Sequence, residues 1–210
     1  MKAFTKHTGT LAIINRENID TDQIISKEHL KSIKKTGYEK ALFSDWRYDD
    51  EGKPNPSFEL NWPQYAKATI LVTGNNFGCG SSREHAVWAI IQYGFAAVIA
   101  PRIERNGNTI PGFADIFKNN SSKNGLLTIE LSQEEVNRII QIATHKQDVQ
   151  VTIDLTQQSI TFNTEKPQSF SFKIDASTKN KLLEGLDDIG RTEKFADTIT
   201  TFETKHNTYL

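Results

Sequence analysis

What most constrains the fold is the stretch Gly74-Asn75-Asn76-Phe77-Gly78-Cys79-Gly80-Ser81-Ser82-Arg83-Glu84-His85-Ala86, in which glycines separate an apolar run from a helical pattern. Upstream, Ala68-Thr69-Ile70-Leu71-Val72-Thr73 is short, apolar and β-branched, the composition of a buried strand. Downstream, Ala86, Val87, Ala89, Ile90 and Tyr93 lead to Gly94, a residue suited to ending a helix. Ser81 precedes Glu84 at the spacing of a capping box. The pattern predicts strand, glycine turn and helix in that order.

Such a turn has a definite chemistry. The first N–H groups of a helix lack partners within it and carry partial positive charge, so the backbone from Ser81 to Glu84 is a candidate anion site. Arg83 adds a planar fork that matches a carboxylate or phosphate through two parallel hydrogen bonds, and the glycines let the backbone approach a ligand closely. Amide donors around the Ser81 oxygen would favour its ionised form and make it a base. The same residues also suit a plainer role, with Ser81 only capping the helix and Arg83 on the surface; Gly74, Gly78 and Gly80 weigh toward the ligand. The run supplies neither a phosphate-binding Gly-Lys-Ser/Thr, nor a dinucleotide G-x-G-x-x-G, nor a G-x-S-x-G elbow.

The segment Asn76 to Ala86 resembles the signature of the aconitase-type swivelling-domain family, in particular its 3-isopropylmalate dehydratase small subunits. Other blocks agree in order: Asn18-Ile19-Asp20-Thr21-Asp22-Gln23-Ile24-Ile25, Phe43 to Tyr48, Phe113 to Phe117, Asn124 to Leu127, and Gly185 to Thr192. The resemblance implies an α/β fold, a single aconitase-like swivelling β/β/α domain over residues 1–210 with a C-terminal extension; the spacing of apolar residues makes 194–210 a candidate terminal helix and tail. It also implies interconversion of 2-isopropylmalate and 3-isopropylmalate in leucine biosynthesis by dehydration and rehydration. A [4Fe-4S] cluster on a separate large subunit would act as Lewis acid on the departing hydroxyl. Carried over by position, Ser81 matches the serine that removes the carbon-bound proton, Arg83 the carboxylate ligand and Ser82 a neighbouring substrate contact. Thr21 and Asp22 match the motif beside that serine and are expected at the substrate. Where the family makes a short turn, Arg102 to Gly112 is inserted.

Two further readings stay open. One keeps the reaction and changes the acid to a methylmalate/citraconate or homoaconitate type, with Lys31 to Tyr38 sensing the variable group. The other, prompted by the insertion, is a non-catalytic carboxylate-binding paralogue.

Cysteine count bears on the division of labour. A cluster of this kind needs several thiolates, and the single Cys79 cannot hold one, so no metal site is expected on this chain; the partners that the resemblance implies are a large subunit and a small hydroxy-dicarboxylic acid. Cys79 itself suits a tight turn better than a ligand or nucleophile, and His85 suits packing or the helix surface. A net charge of -1 without a basic stripe argues against a nucleic-acid surface, and the five histidines are scattered. No apolar run approaches the roughly 20 residues that span a bilayer, and the N-terminus lacks a signal-peptide core, which points to the cytoplasm.

The remaining pattern predicts strands at 9–14, 96–100, 126–129 and 169–174, and a hairpin of 149–155 with 159–162. Helices are expected over 27–35, over 132–144 behind a Ser132/Glu135 capping box, over 178–184 up to Gly185, and at the end, where Phe195, Ile199 and Phe202 share helical spacing. The charged, proline-bearing segment Asp49 to Pro56 reads as an exposed loop.

Overall fold

The computed structural model describes residues 1–31, 35–81, 83–146 and 148–206. Its strands are β1 (Lys6–Ile14), β2 (Ala68–Thr73), β3 (Ala97–Arg105), β4 (Asn108–Ile110), β5 (Leu127–Ser132), β6 (Val151–Asp154), β7 (Ser159–Phe162) and β8 (Gln168–Ser171). The helices are α1 (Thr21–Ile24), α2 (Ser44–Arg47), α3 (Glu84–Tyr93), α4 (Asp115–Asn124), α5 (Gln133–His145), α6 (Ala176–Glu184), α7 (Asp188–Glu193) and α8 (Ala196–Lys205). The fold class is α/β. The strands pair in the order β4-β3-β2-β1-β6-β7-β8, with β5 also on β3.

Two kinds of strand meet at β1. The pairs β1–β2, β2–β3 and β3–β5 are parallel, whereas β1–β6, β6–β7 and β7–β8 are antiparallel. Parallel strands are covered on both faces, which is why β2 reads as an almost unbroken apolar run. The antiparallel strands β6 and β7 alternate buried with half-buried positions.

Side-chain alternation divides the interior into two cores. Leu71 of β2 and Val98 of β3 join Ala86, Val87 and Ile90 of α3 and Phe117 of α4 on one face. Ile70, Val72 and Ile99 join Val136 and Ile139 of α5 and Leu182 of α6 on the other. Each such aliphatic side chain contributes about 1.5–3 kcal/mol by leaving water.

Local signals account for most boundaries. Gly94, at φ 121°, ends α3, and Gly185, at φ 66°, ends α6. Ser132 and Glu135 form the predicted reciprocal cap of α5.

Four features differ from expectation. The helix over 27–35 is a 3-10 turn at Lys27–Lys31, with residues 32–34 outside the described ones. His29 N–H bonds to Ser26 O, an i to i+3 closure that lacks the length to propagate. The inserted segment forms an antiparallel β3–β4 hairpin closed by Asn106-Gly107, both at positive φ. The polar segment after Phe113 is a regular helix, α4. Finally, α8 forms where expected but leaves its apolar side chains outside, with Phe195 62% and Phe202 61% exposed.

Candidate active site

Three segments converge around the glycine turn. On one side lies Asn18 to Asp22: Asn18 N–H donates to Asn75 O at 3.0 Å, Gly78 N–H to Ile19 O at 2.7 Å and Thr21 N–H to Cys79 O at 3.0 Å. On the other lies the end of the hairpin, where Asn76 N–H donates to Pro111 O and Phe77 N–H to Gly112 O. Phe77, Phe113 and Phe117 pack ring against ring below the turn, with centroids 5.2–6.3 Å apart. Gly78 is required here, because it sits at φ 73° and a Cβ on it would run into the Phe117 ring.

The turn borders a pocket of about 330 Å³ lined by Thr21, Gly78, Gly80, Arg83, Phe117 and Asn120. A second cavity of about 350 Å³, between β1 and the end of α5, contains none of the motif residues.

Arg83 occupies the N-cap position of α3, and its side chain is only 13% exposed. Its Nη1 donates to Asp22 Oδ1. A cation at the positive end of a helix is unfavourably placed, and Asp22 offsets that charge on one edge of the fork. A carboxylate in the pocket would offset it further. The arrangement suits a small acid.

Ser81 is exposed, and no N–H of the described residues donates to its hydroxyl oxygen. The predicted capping box with Glu84 does not form, since α3 begins only at Glu84 and has no side-chain cap. Ser81 therefore precedes the helix, and the expected converging donors are not found among the described residues. What reaches Ser81 is Thr21, whose Oγ1 donates to the Ser81 carbonyl at 2.5 Å. The Ser81 hydroxyl is left without a role in capping and open to solvent.

The structure thus brings Thr21, Asp22, Ser81 and Arg83 together; Ser82 lies outside the described residues. Lys31 and Tyr38 bracket residues 32–34, which are likewise outside them.

Cys79 pairs by a β-bridge with Asp20, and burial, followed by the Asp20 charge, pushes its thiol above the ordinary range. A raised thiol is a weak nucleophile at neutral pH. His85 packs between Tyr38 and Trp88, with centroids 5.5 and 4.7 Å away. Sequence reasoning missed Phe117 and Asn120 as walls of the pocket. Their helix carried usable signals: Asp115 in the first turn, Lys123 in the last, and Gly125 in the left-handed region beyond.

Comparison with known proteins agrees with this fold. The family described as the aconitase C-terminal domain matches residues 1–134. The chain is 47% identical over 210 residues to the 3-isopropylmalate dehydratase small subunit of Desulforapulum autotrophicum, covering 100% of this chain and 98% of that one. It is 48% identical over 214 residues to the protein of the same name from Neisseria meningitidis serogroup C, covering 98% and 95% respectively. A crystal structure of 3-isopropylmalate dehydratase from Methanocaldococcus jannaschii superposes with a TM-score of 0.64 at 24% identity, over 94% of this chain and 99% of that one. That last likeness bears on the fold.

Proposed function

The chain belongs to the family of 3-isopropylmalate dehydratase small subunits, built on the aconitase C-terminal domain, and from that premise we propose that it is the cluster-free half of a hydro-lyase. The enzyme interconverts 2-isopropylmalate and 3-isopropylmalate by dehydration and rehydration, a reaction of leucine biosynthesis, in the cytoplasm. No helix among the described residues is long and apolar enough to cross a membrane.

The observation that supports this reading is an almost buried, Asp22-held Arg83 lining a pocket whose wall residue Thr21 also hydrogen-bonds the exposed Ser81. Arg83 grips a substrate carboxylate with the edge of its fork that Asp22 leaves. In its ionised form the Ser81 oxygen takes the carbon-bound proton during dehydration, becoming the hydroxyl, and returns that proton during rehydration. Ser82 is a neighbouring substrate contact, Thr21 lines the pocket, and Asp22 holds Arg83 beside the ligand.

The residues of this chain do not fit an iron–sulfur cluster: Cys79 is its one cysteine, and no group of three His, Cys, Asp or Glu among the described residues could hold a metal ion. We assign the [4Fe-4S] cluster to the large subunit, where it supplies a Lewis acid for the departing hydroxyl. The inserted hairpin supports activity rather than its loss, since it delivers the Pro111 and Gly112 carbonyls to the glycine turn.

Reconstitution tests the proposal. Isopropylmalate isomerisation is expected only when the chain is combined with its cluster-bearing partner, with turnover of isopropylmalate exceeding that of citraconate and homoaconitate. Turnover by the chain alone, or preference for another acid, would contradict it.

A further inference from the structure

We infer that Thr21 is a positioning residue for Ser81, an inference that rests on the reading of Ser81 as the proton acceptor. Among the described residues, the Thr21 hydroxyl makes the one hydrogen bond that reaches Ser81. Ser81 belongs to no helix or strand, and it follows Gly80, which sits at φ 82°. A glycine there permits the turn without fixing the direction in which the next residue leaves it. Something outside the turn must fix it.

Thr21 is built for that task. It is 2% exposed, and its N–H donates to Cys79 O at 3.0 Å while its Oγ1 donates to Ser81 O at 2.5 Å, so it grips the chain on both sides of Gly80. Its own backbone is fixed by the reciprocal cap of α1, in which Asp20 Oδ1 accepts from Gln23 N–H and Gln23 Oε1 from Asp20 N–H. A β-branched side chain at the start of that helix has a restricted χ1, which aims the hydroxyl with little loss of entropy. Thr21 lines the pocket with almost no surface of its own and with its hydroxyl proton committed to Ser81 O, so that hydroxyl acts on the substrate through Ser81. Displacement of a reacting group by about 1 Å can cost on the order of 100-fold in rate.

The test uses the assembled two-subunit enzyme. Thr21→Val keeps the volume and removes the donor; its kcat is expected to fall roughly 10- to 100-fold with KM within about threefold of wild type. Thr21→Ser keeps the donor and is expected to retain kcat within about threefold, a rescue that loss of packing alone would not give. In the Ser81→Ala background, Thr21→Val should cause no further loss, because the group it positions is gone. A Thr21→Val enzyme with wild-type kcat, or one whose loss lies in KM, overturns the inference. So does a Thr21→Ser enzyme impaired tenfold or more, and this arm decides the matter even if Thr21→Val fails to assemble. Full activity of Ser81→Ala would instead remove the reading on which the inference stands, and the inference with it.

Discussion

Arg83 sits where the field of its own helix opposes it, at the N-cap of α3, and that placement makes sense only if an anion shares the site. Asp22 supplies one negative charge and fixes one nitrogen of the guanidinium, and in the proposed function the remaining donors of the fork meet the acid group as a planar set. Lysine would keep the charge and lose that geometry. In the assembled enzyme, Arg83→Lys is expected to raise KM for isopropylmalate by about tenfold or more, as steady-state kinetics would show. An unchanged KM would mean that the acid group binds elsewhere. The neighbouring Cys79, with its thiol pushed up by burial, contributes volume to the turn rather than reactivity.

At the scale of elements, the glycine turn is held between the Asn18 to Asp22 segment and the hairpin end, with α4 beneath it. Gly78 is where these parts touch most closely. Gly78→Ala would place a side chain against the Phe117 ring in a left-handed conformation, and denaturant unfolding should show a loss of about 2–4 kcal/mol. A loss below about 0.5 kcal/mol would show that the Phe77, Phe113 and Phe117 packing yields freely.

Elements whose signals are local were legible in the sequence. The β2 run, the Gly94 and Gly185 stops and the Ser132/Glu135 cap depend on neighbours a few residues apart, and each forms as the pattern predicts. By contrast, Ser81 and Glu84 had the spacing of a cap, but α3 begins only at Glu84, and Ser81 instead receives a bond at its carbonyl from Thr21, a residue 60 positions away. Helix α4 hid behind its composition: Lys118, Asn119, Asn120 and Lys123 dilute the apolar period, and the helix buries only Phe117, Ser121 and Ser122. The β3–β4 hairpin carried a plain signal in Asn106-Gly107, obscured by treating the segment as an interruption. The site's residue types were visible in the motif, but which segments face each other across the pocket depends on contacts remote in sequence.

At the scale of the whole molecule, β1 joins the parallel and antiparallel parts of the sheet, and His7 fastens it to β2 through a 2.7 Å hydrogen bond between Nε2 and Thr69 Oγ1. Burial, and then the Lys2 charge, hold His7 below the ordinary histidine range. The unfolded chain therefore takes up this proton at a higher pH than the folded one. Stability from His7 is present above its unfolded pKa of about 6.5 and is lost as pH falls from there toward the lower folded value. Thermal unfolding should show this chain losing stability between about pH 7 and pH 5 more steeply than His7→Gln does. Equal slopes would remove His7 as a source of that dependence.

With a single cysteine the chain cannot hold a cluster, so in the proposed function the chemistry begun at Arg83 and Ser81 has to be completed from outside. The most direct measurement is the turnover of isopropylmalate by the Ser81→Ala chain assembled with its cluster-bearing large subunit, beside the wild-type complex. If Ser81 carries the proton, kcat falls by about 100-fold or more while KM changes little. Turnover within a few-fold of wild type would show that the proton leaves by another route.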